Sequence, residues 1–267
     1  YPPGYVLMGG AIHLASLRSL ATETIYQLLL WVAYLAPGIT SFWLMARACR
    51  NPWVALFTAL AVLTMSAGSR SGVEGGLRIG MIAARLGLGL LPLLALALSG
   101  WQERGGRPSG WTAPLLAGLL LLHPAHAPAG ILLVLLAGVF GPGGDARRQR
   151  LVQTVWLLAL AAGLTGFWTI PLGARLEYAL PLAWGEFSLG GLGLQILSRP
   201  LLAVAASGAA LGLALVSQRG DTRGAALSLV ALPPVLLVTV AVDALIVEPW
   251  GIRWLPADRL LDSLYLA

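Results

Sequence analysis

The sequence predicts an all-α integral membrane protein, a polytopic helical bundle with about six full spans and one broken helical hairpin at residues 112–140. Of its 267 residues, 58% are hydrophobic and 10% are charged, a balance typical of chains whose main solvent is lipid. Seven apolar stretches are separated by short loops that carry arginine. Most of these stretches are close to the ~20 residues with which an α-helix crosses the hydrocarbon core.

The apolar stretches follow one another with no soluble domain between them, so we expect a single transmembrane domain over residues 1–267. They cover residues 24–46, 53–67, 77–99, 112–140, 151–172, 196–217 and 225–247. The chain starts at Tyr1 without a methionine, and it ends in 257-ADRLLDSLYLA, where leucines recur at helical spacing. We therefore expect this domain to be truncated at both ends.

The charge pattern points to a membrane and away from nucleic acid. The net charge is +6, but the arginines are scattered over the loops, whereas a nucleic-acid-binding protein concentrates its positive charge on one patch. Amphipathic tryptophan rings prefer the headgroup level of a bilayer. Eight tryptophans lie near the ends of apolar stretches: Trp43, Trp53, Trp101, Trp111, Trp168, Trp184, Trp250 and Trp254. We therefore expect membrane lipid as a partner and no nucleic acid.

Residues 112–140 decide the topology. The stretch is interrupted by 123-HPAHAP, whose prolines disfavour a continuous helix. If the stretch crosses the membrane once, the loop arginines divide evenly between the two sides. If it folds into helices 112–122 and 127–140 joined at the His-Pro turn, nine arginines share one side, as the positive-inside rule requires. Those nine are Arg47, Arg50, Arg104, Arg107, Arg147, Arg148, Arg150, Arg219 and Arg223. The hairpin is the favoured interpretation.

The hairpin interpretation places residues 1–23, 68–76, 173–195 and 248–267 on the outer side. Helices this short rise only ~16–21 Å, so the turn that carries His123 and His126 is expected within the outer half of the membrane. Non-helical backbone at that depth is tolerated where protein covers it or where it lines a wet cavity. We therefore expect a cavity that opens to the outer face beside this turn.

Glu74, Arg78 and Arg85 are candidate ligand-binding residues. Their spacings of four and seven place them on one stripe of a helix that enters the third span. Charges inside a membrane are costly and usually serve a function, and a guanidinium group suits a phosphate. The alternative is internal pairing, in which Glu74 binds Arg78 and Arg85 binds backbone carbonyls.

His123 and His126 are the second group of candidates. A metal site would need a third ligand, and no other His or Cys is close in sequence, so we expect no metal and no other cofactor. Two interpretations remain. The imidazoles contact a phosphate or hydroxyl group in the cavity, or they satisfy backbone groups of the broken helix.

Several features occur in a characteristic order along the first half of the chain. The segment 1-YPPGY precedes a span, and a short span with a Gly-rich outer turn follows. Next come the Pro-containing helix 91-LPLLALAL and the broken pair 119-LLLLHPAHAPAGILLVLL. This order resembles the bacterial polytopic membrane proteins described as 6-pyruvoyl-tetrahydropterin-synthase-related. Those proteins are similar to the GT-C superfamily of polyprenyl-phosphate-dependent glycosyltransferases.

The resemblance implies a GT-C-like bundle in the bacterial inner membrane that transfers a sugar from a polyprenyl-phosphate donor at the outer face. It implies that Arg78, Arg85 and the His-Pro hairpin line the donor site, and that the catalytic base lies upstream of Tyr1. Two other functions stay open. One is a transporter or flippase for a lipid-linked or anionic solute, since broken helices are common in transporters. The other is a non-catalytic membrane partner.

Overall fold

A computed structural model describes residues 2–64, 73, 80–140, 145–175, 208, 211, 214, 215, 218, 223–250, 260 and 263. Within these residues the regular structure is helical, and it contains no strand. The α-helices are α1 (Gly4–Ala15), α2 (Thr22–Cys49), α3 (Pro52–Thr64), α4 (Ile82–Arg104), α5 (Thr112–Leu122), α6 (Ala127–Val139), α7 (Asp145–Gly173) and α8 (Arg223–Val242). A 3₁₀ turn (Pro124–His126) joins α5 to α6. A π-helical turn (Asp243–Val247) and a 3₁₀ turn (Glu248–Trp250) follow α8.

Within the described residues, four helices are long and apolar enough to cross a membrane. They are α2, α4, the Arg147–Gly173 part of α7, and Ser228–Val247, which α8 and its π-helical turn form together. Helices α1, α3, α5 and α6 are apolar and shorter. The predicted all-α class is confirmed for the described residues, and the total of about six spans stays a prediction. The predicted stretch 196–217 lies mostly outside the described residues.

The long outer helices expose large apolar side chains. On α2, Trp31 is 64% exposed; on α7, Trp156 is 69% and Ile170 73% exposed. Apolar surface of this extent is disfavoured in water and marks contact with a membrane or a partner. Because α2 and α7 also have membrane-crossing length, lipid is the solvent that suits these faces.

Helix α4 is the centre of the bundle. In α4, 72% of the most apolar 18-residue stretch is buried. The corresponding shares are 33% for α2, 22% for α7 and 17% for the span Ser228–Val247. Glycine allows the close approach to α2, since a Cβ at Gly89 would meet Cβ of Ala36 at 2.9 Å and the backbone nitrogen of Pro37 at 3.1 Å. The main core packs Leu94 and Leu98 of α4 against side chains of four other helices, among them Leu116, Leu133, Leu157 and Leu236.

The broken hairpin is formed at the predicted residues. Helix α6 folds back on α5, since a Cβ at Gly130 would lie within 2.9 Å of the side chains of Leu116 and Leu119. At the far end of α6, Ala137 O accepts a hydrogen bond from Nε2 of Gln102 at 3.2 Å. One straight helix over 112–140 would carry Ala137 ~37 Å away from residue 112, so this contact requires the chain to turn back.

The bundle therefore has two polar ends. We name one the arginine end; it contains Arg47, Trp101, Gln102, Glu103, Gln153 and Ser228, which are joined by side-chain contacts. We name the other the His-Pro end; it contains Arg85, His123 and His126. The arginine end gathers the chain segments that the arginine count predicts on one side of the membrane.

Two predictions about single elements are wrong. Helix α4 begins at Ile82, and Gly80 before it has φ +75°, so the continuous helix predicted to run through Arg85 from the preceding loop is interrupted. The helical spacing that placed Glu74, Arg78 and Arg85 on one stripe therefore does not apply. The second error concerns Trp101, which is only 1% exposed. Its ring lies in the core of the bundle and not at the lipid headgroups.

Candidate functional site

Arg85 is fully buried at the His-Pro end, in the first turn of α4. Its Nη2 donates to Leu63 O at 3.3 Å and to Tyr34 O at 3.4 Å. Leu63 belongs to the last turn of α3, where carbonyl groups have no partner within the helix. The guanidinium also lies over the Tyr34 ring, with Cζ 5.0 Å from the centroid. These contacts match the internal role considered for Arg85, and they tie together α2, α3 and α4.

His126 fixes the His-Pro turn. Its ring is fully buried, with Nε2 2.9 Å from Ala84 O and Nδ1 2.9 Å from Ser263 Oγ. A carbonyl oxygen only accepts, so Nε2 carries a proton, and in the neutral ring Nδ1 accepts from the Ser263 hydroxyl. The ring thereby binds the turn to the first turn of α4 and to Ser263.

His123 lies beside His126 and is partly exposed. The two ring centroids are 5.0 Å apart, and the rings are tilted by 45°. His123 ends α5 in an extended conformation, with φ −156° and ψ 109°, which turns its backbone out of the helix. The turn packs on Gly87, where a Cβ would lie 3.0 Å from Cδ2 of His126. His123 is therefore the imidazole of the pair that an external ligand can reach.

The 1-YPPGY segment covers the same end of the bundle. Gly4 packs directly on backbone atoms of α5, since a Cβ there would lie 2.7 Å from the carbonyl carbon of Leu121. Tyr5 packs on a small core cluster that includes Leu122. Burial raises the pKa of the Tyr5 phenol, and the neighbouring Tyr26 raises it further, so the phenol stays protonated at neutral pH. Two stretches that carry the family resemblance are thus neighbours in space.

Asp243 is an acidic residue near the end of α8 that was not predicted as part of the site. It opens the π-helical turn after α8 and continues the stripe of Leu236 and Val240, which are both fully buried. Gln102 binds both Ser228 Oγ and Ala137 O, so Ser228 of α8 and Ala137 of α6 lie at the same height along the bundle axis. From this height toward the opposite end of the bundle, α8 extends ~22 Å from Ser228 to Asp243. Helix α6, followed backward from Ala137, extends ~16 Å to His126. Asp243 therefore lies at the His-Pro end. Its signal in the sequence is a single acidic residue within an apolar span.

Three of the five predicted site residues, Arg85, His123 and His126, lie at the same end of the bundle, since His126 binds the carbonyl of Ala84 next to Arg85. Glu74 and Arg78 lie outside the described residues. Among the described residues, no three His, Cys, Asp or Glu side chains are grouped as metal ligands. The sequence analysis also missed Gln102 at the arginine end, which is 5% exposed and donates to Ser228 Oγ at 2.9 Å.

Comparisons with known proteins find no matching family model, no similar curated protein and no similar solved structure.

Proposed function

We propose that this chain is an inner-membrane protein that binds a lipid-linked phosphate at the His-Pro end. More specifically, it is a GT-C-like glycosyltransferase that uses a polyprenyl-phosphate sugar donor. The observation that supports this most is the presence of one buried guanidinium and a pair of neighbouring imidazoles at the same end of an apolar bundle. Side chains that donate hydrogen bonds and carry positive charge are the ones that bind phosphate.

The chemistry of Arg85 suits a phosphate leaving group. Its contacts with Tyr34 O and Leu63 O hold the guanidinium in a fixed orientation. In a low-dielectric site a fixed cation stabilises developing negative charge more strongly than it does in water. Arg85 would therefore act through its field on a phosphate that His123 contacts directly.

The topology supports an outward-facing donor site. By the positive-inside rule, the arginine end faces the cytoplasm, and the His-Pro end then faces the outer leaflet. A polyprenyl chain would lie along the apolar surface of the bundle, with its phosphate at the level of the turn. This arrangement is expected of a transferase that uses lipid-linked sugars at the outer face.

The test is binding of a polyprenyl phosphate to the purified chain in phosphatidylcholine nanodiscs. We expect His123→Ala to weaken binding about tenfold, equivalent to about 1.4 kcal/mol. The matched control is His13→Ala, because His13 lies on α1 and its ring binds the nearby Leu20 O. Wild-type affinity in His123→Ala, or equal losses in both variants, would refute the site. Release of polyprenyl phosphate from its sugar-loaded form, followed in the same nanodiscs, then tests the transfer reaction.

One observation favours a transporter or flippase as the second candidate. Helices α5 and α6 are short, and their ends meet within the bundle at a buried turn, as in the discontinuous helices that hold solutes in transporters. Proteoliposomes distinguish the two functions. Movement of a polyprenyl phosphate between leaflets without loss of sugar supports transport, and sugar release without movement supports the transferase.

A further inference from the structure

Arg150 is a buried cation at the arginine end, on the opposite side of the bundle from the proposed donor site. The residue is 4% exposed although it lies in the second turn of α7, and its neighbours Arg147 and Arg148 are exposed. Among the described residues, none accepts a hydrogen bond from its Nη1 atom. A guanidinium nitrogen is a hydrogen-bond donor, and burying a donor of a charged group without an acceptor is costly. The chemistry that satisfies this group is an anion.

Arg150 belongs to a stripe of α7 that faces the bundle. Arg150, Thr154 and Leu157 follow at spacings of four and three, which places them on one helix face. Leu157 joins the main core, so the stripe passes from a polar end into the apolar interior. The Thr154 Oγ1 atom is buried against Gly138 of α6, and no described residue is its hydrogen-bond partner.

A hydrogen bond of the neighbouring Gln153 shows at which end of the bundle Arg150 lies. Gln153 Oε1 accepts from Nε1 of Trp101 at 3.2 Å, which joins the start of α7 to the end of α4. The start of α5 lies at the same end, and there the Oγ1 atom of Thr112 is also buried without a partner among the described residues. One guanidinium nitrogen and two hydroxyl groups at this end of the bundle are therefore buried without a hydrogen-bond partner among the described residues.

The opposite face of α7 indicates the source of the anion. That face presents exposed apolar side chains, among them Val152 (51%), Val155 (65%) and Trp156 (69%). The helix carries three arginines and one acidic residue in its first six positions, and its N-terminal end bears the positive pole of the helix dipole. An anion with acyl chains can bind Arg150 through its charged group and cover the exposed apolar face through its chains. A phospholipid headgroup meets that description, and basic pockets between helices bind such headgroups.

We infer that the start of α7 binds the phosphate of an anionic phospholipid, with Arg150 as the main ligand and Thr154 as a second donor. The site is separate from the His-Pro end and does not depend on the activity proposed there. Acyl chains of the bound lipid would lie along the exposed apolar face of α7.

The test compares Arg150→Gln with Arg148→Gln, because both remove one positive charge and only Arg150 is buried. Each full chain is placed in phosphatidylcholine nanodiscs that contain phosphatidylglycerol, and the lipid retained after detergent extraction is counted by native mass spectrometry. We expect Arg150→Gln to retain about tenfold less phosphatidylglycerol than the wild type. Arg148→Gln should stay within about twofold of the wild type, since exposed charges are screened.

Three results would overturn the inference. Equal losses in both variants would indicate diffuse attraction of anionic lipid, and no loss in either would indicate that water alone solvates Arg150. If inorganic phosphate raises the melting temperature of the wild type while phosphatidylglycerol is not retained, the ligand is a soluble anion and not a lipid. If Arg150→Gln does not fold, Thr154→Val carries the test, since it removes one hydroxyl group and no charge. It should weaken retention about threefold, and unchanged retention would count against the site.

Discussion

Replacing His126 with alanine should destabilise the fold more than any other histidine substitution in the described residues. The ring is fully buried and makes two hydrogen bonds of 2.9 Å, to Ala84 O and Ser263 Oγ. A hydrogen bond contributes about 1 kcal/mol net, so the pair contributes about 2 kcal/mol. Loss of the ring's packing leaves a cavity that costs about 2 kcal/mol more. The total is about 4 kcal/mol, which corresponds to a fall in Tm of about 10 °C.

The assay is thermal unfolding of the detergent-purified chain, followed by fluorescence-detected gel filtration. His13→Ala is the matched control, because the same atoms are removed from a partly exposed ring with one hydrogen bond of 3.2 Å, to Leu20 O. We expect it to lower Tm by about 3 °C, since about 1 kcal/mol is lost. Ser263→Ala removes one of the two bonds of His126 and should give a similarly small shift.

The reasoning would be refuted if His126→Ala melted within a degree or two of His13→Ala. That result would mean that the prolines alone hold the turn. A large effect in Ser263→Ala, equal to that in His126→Ala, would also contradict it. The C-terminal segment, and not the contact with α4, would then stabilise the hairpin.

Three further substitutions test other contacts by the same melting assay. Gly87→Ala should lower Tm and weaken phosphate binding, because its Cβ would lie 3.0 Å from Cδ2 of His126 and crowding of about 1–3 kcal/mol exceeds the gain in helix propensity. Gly163→Ala is its control, since nothing lies within 4 Å of a Cβ there, and it should keep or raise Tm. Gln102→Leu should cost about 2 kcal/mol, because two buried hydrogen bonds are lost; an unchanged Tm would show that those bonds do not hold the arginine end together. Glu103→Gln should change stability by less than about 1 kcal/mol, since the ion pair between Glu103 and Arg47 of α2 is partly exposed. A larger loss of stability that persists in high salt would contradict this.

The hairpin was predictable because two independent signals agree on it. Prolines interrupt 112–140, and the distribution of arginine distinguishes a turn from a crossing. The helix ends observed at Leu122 and Ala127 fall where the sequence predicts them. Both signals act locally or through net charge, so they are visible without knowledge of the neighbours in space.

The partners of the buried polar residues were not predictable. Arg85 binds Leu63 O and Tyr34 O, and carbonyl groups are present at every position of a chain. The prediction that Trp101 lies among the lipid headgroups was wrong for a related reason. A tryptophan at the end of an apolar stretch has the same sequence pattern whether it lies among lipid headgroups or, as here, bonds Gln153 in the core. The distinction depends on which helix is central, and apolar composition does not show that.

The central position of α4 explains why both polar ends depend on one helix. Its first turn supplies Arg85 and the Ala84 carbonyl that holds His126, and its last turns supply Trp101 and Gln102. These groups lie ~25 Å apart on one rigid element. A shift of α4 along its axis would therefore stretch contacts at the His-Pro end and at the arginine end together. Glycines at 87 and 89 permit the close packing that resists such a shift, and a ligand that moves α4 at one end must disturb the other.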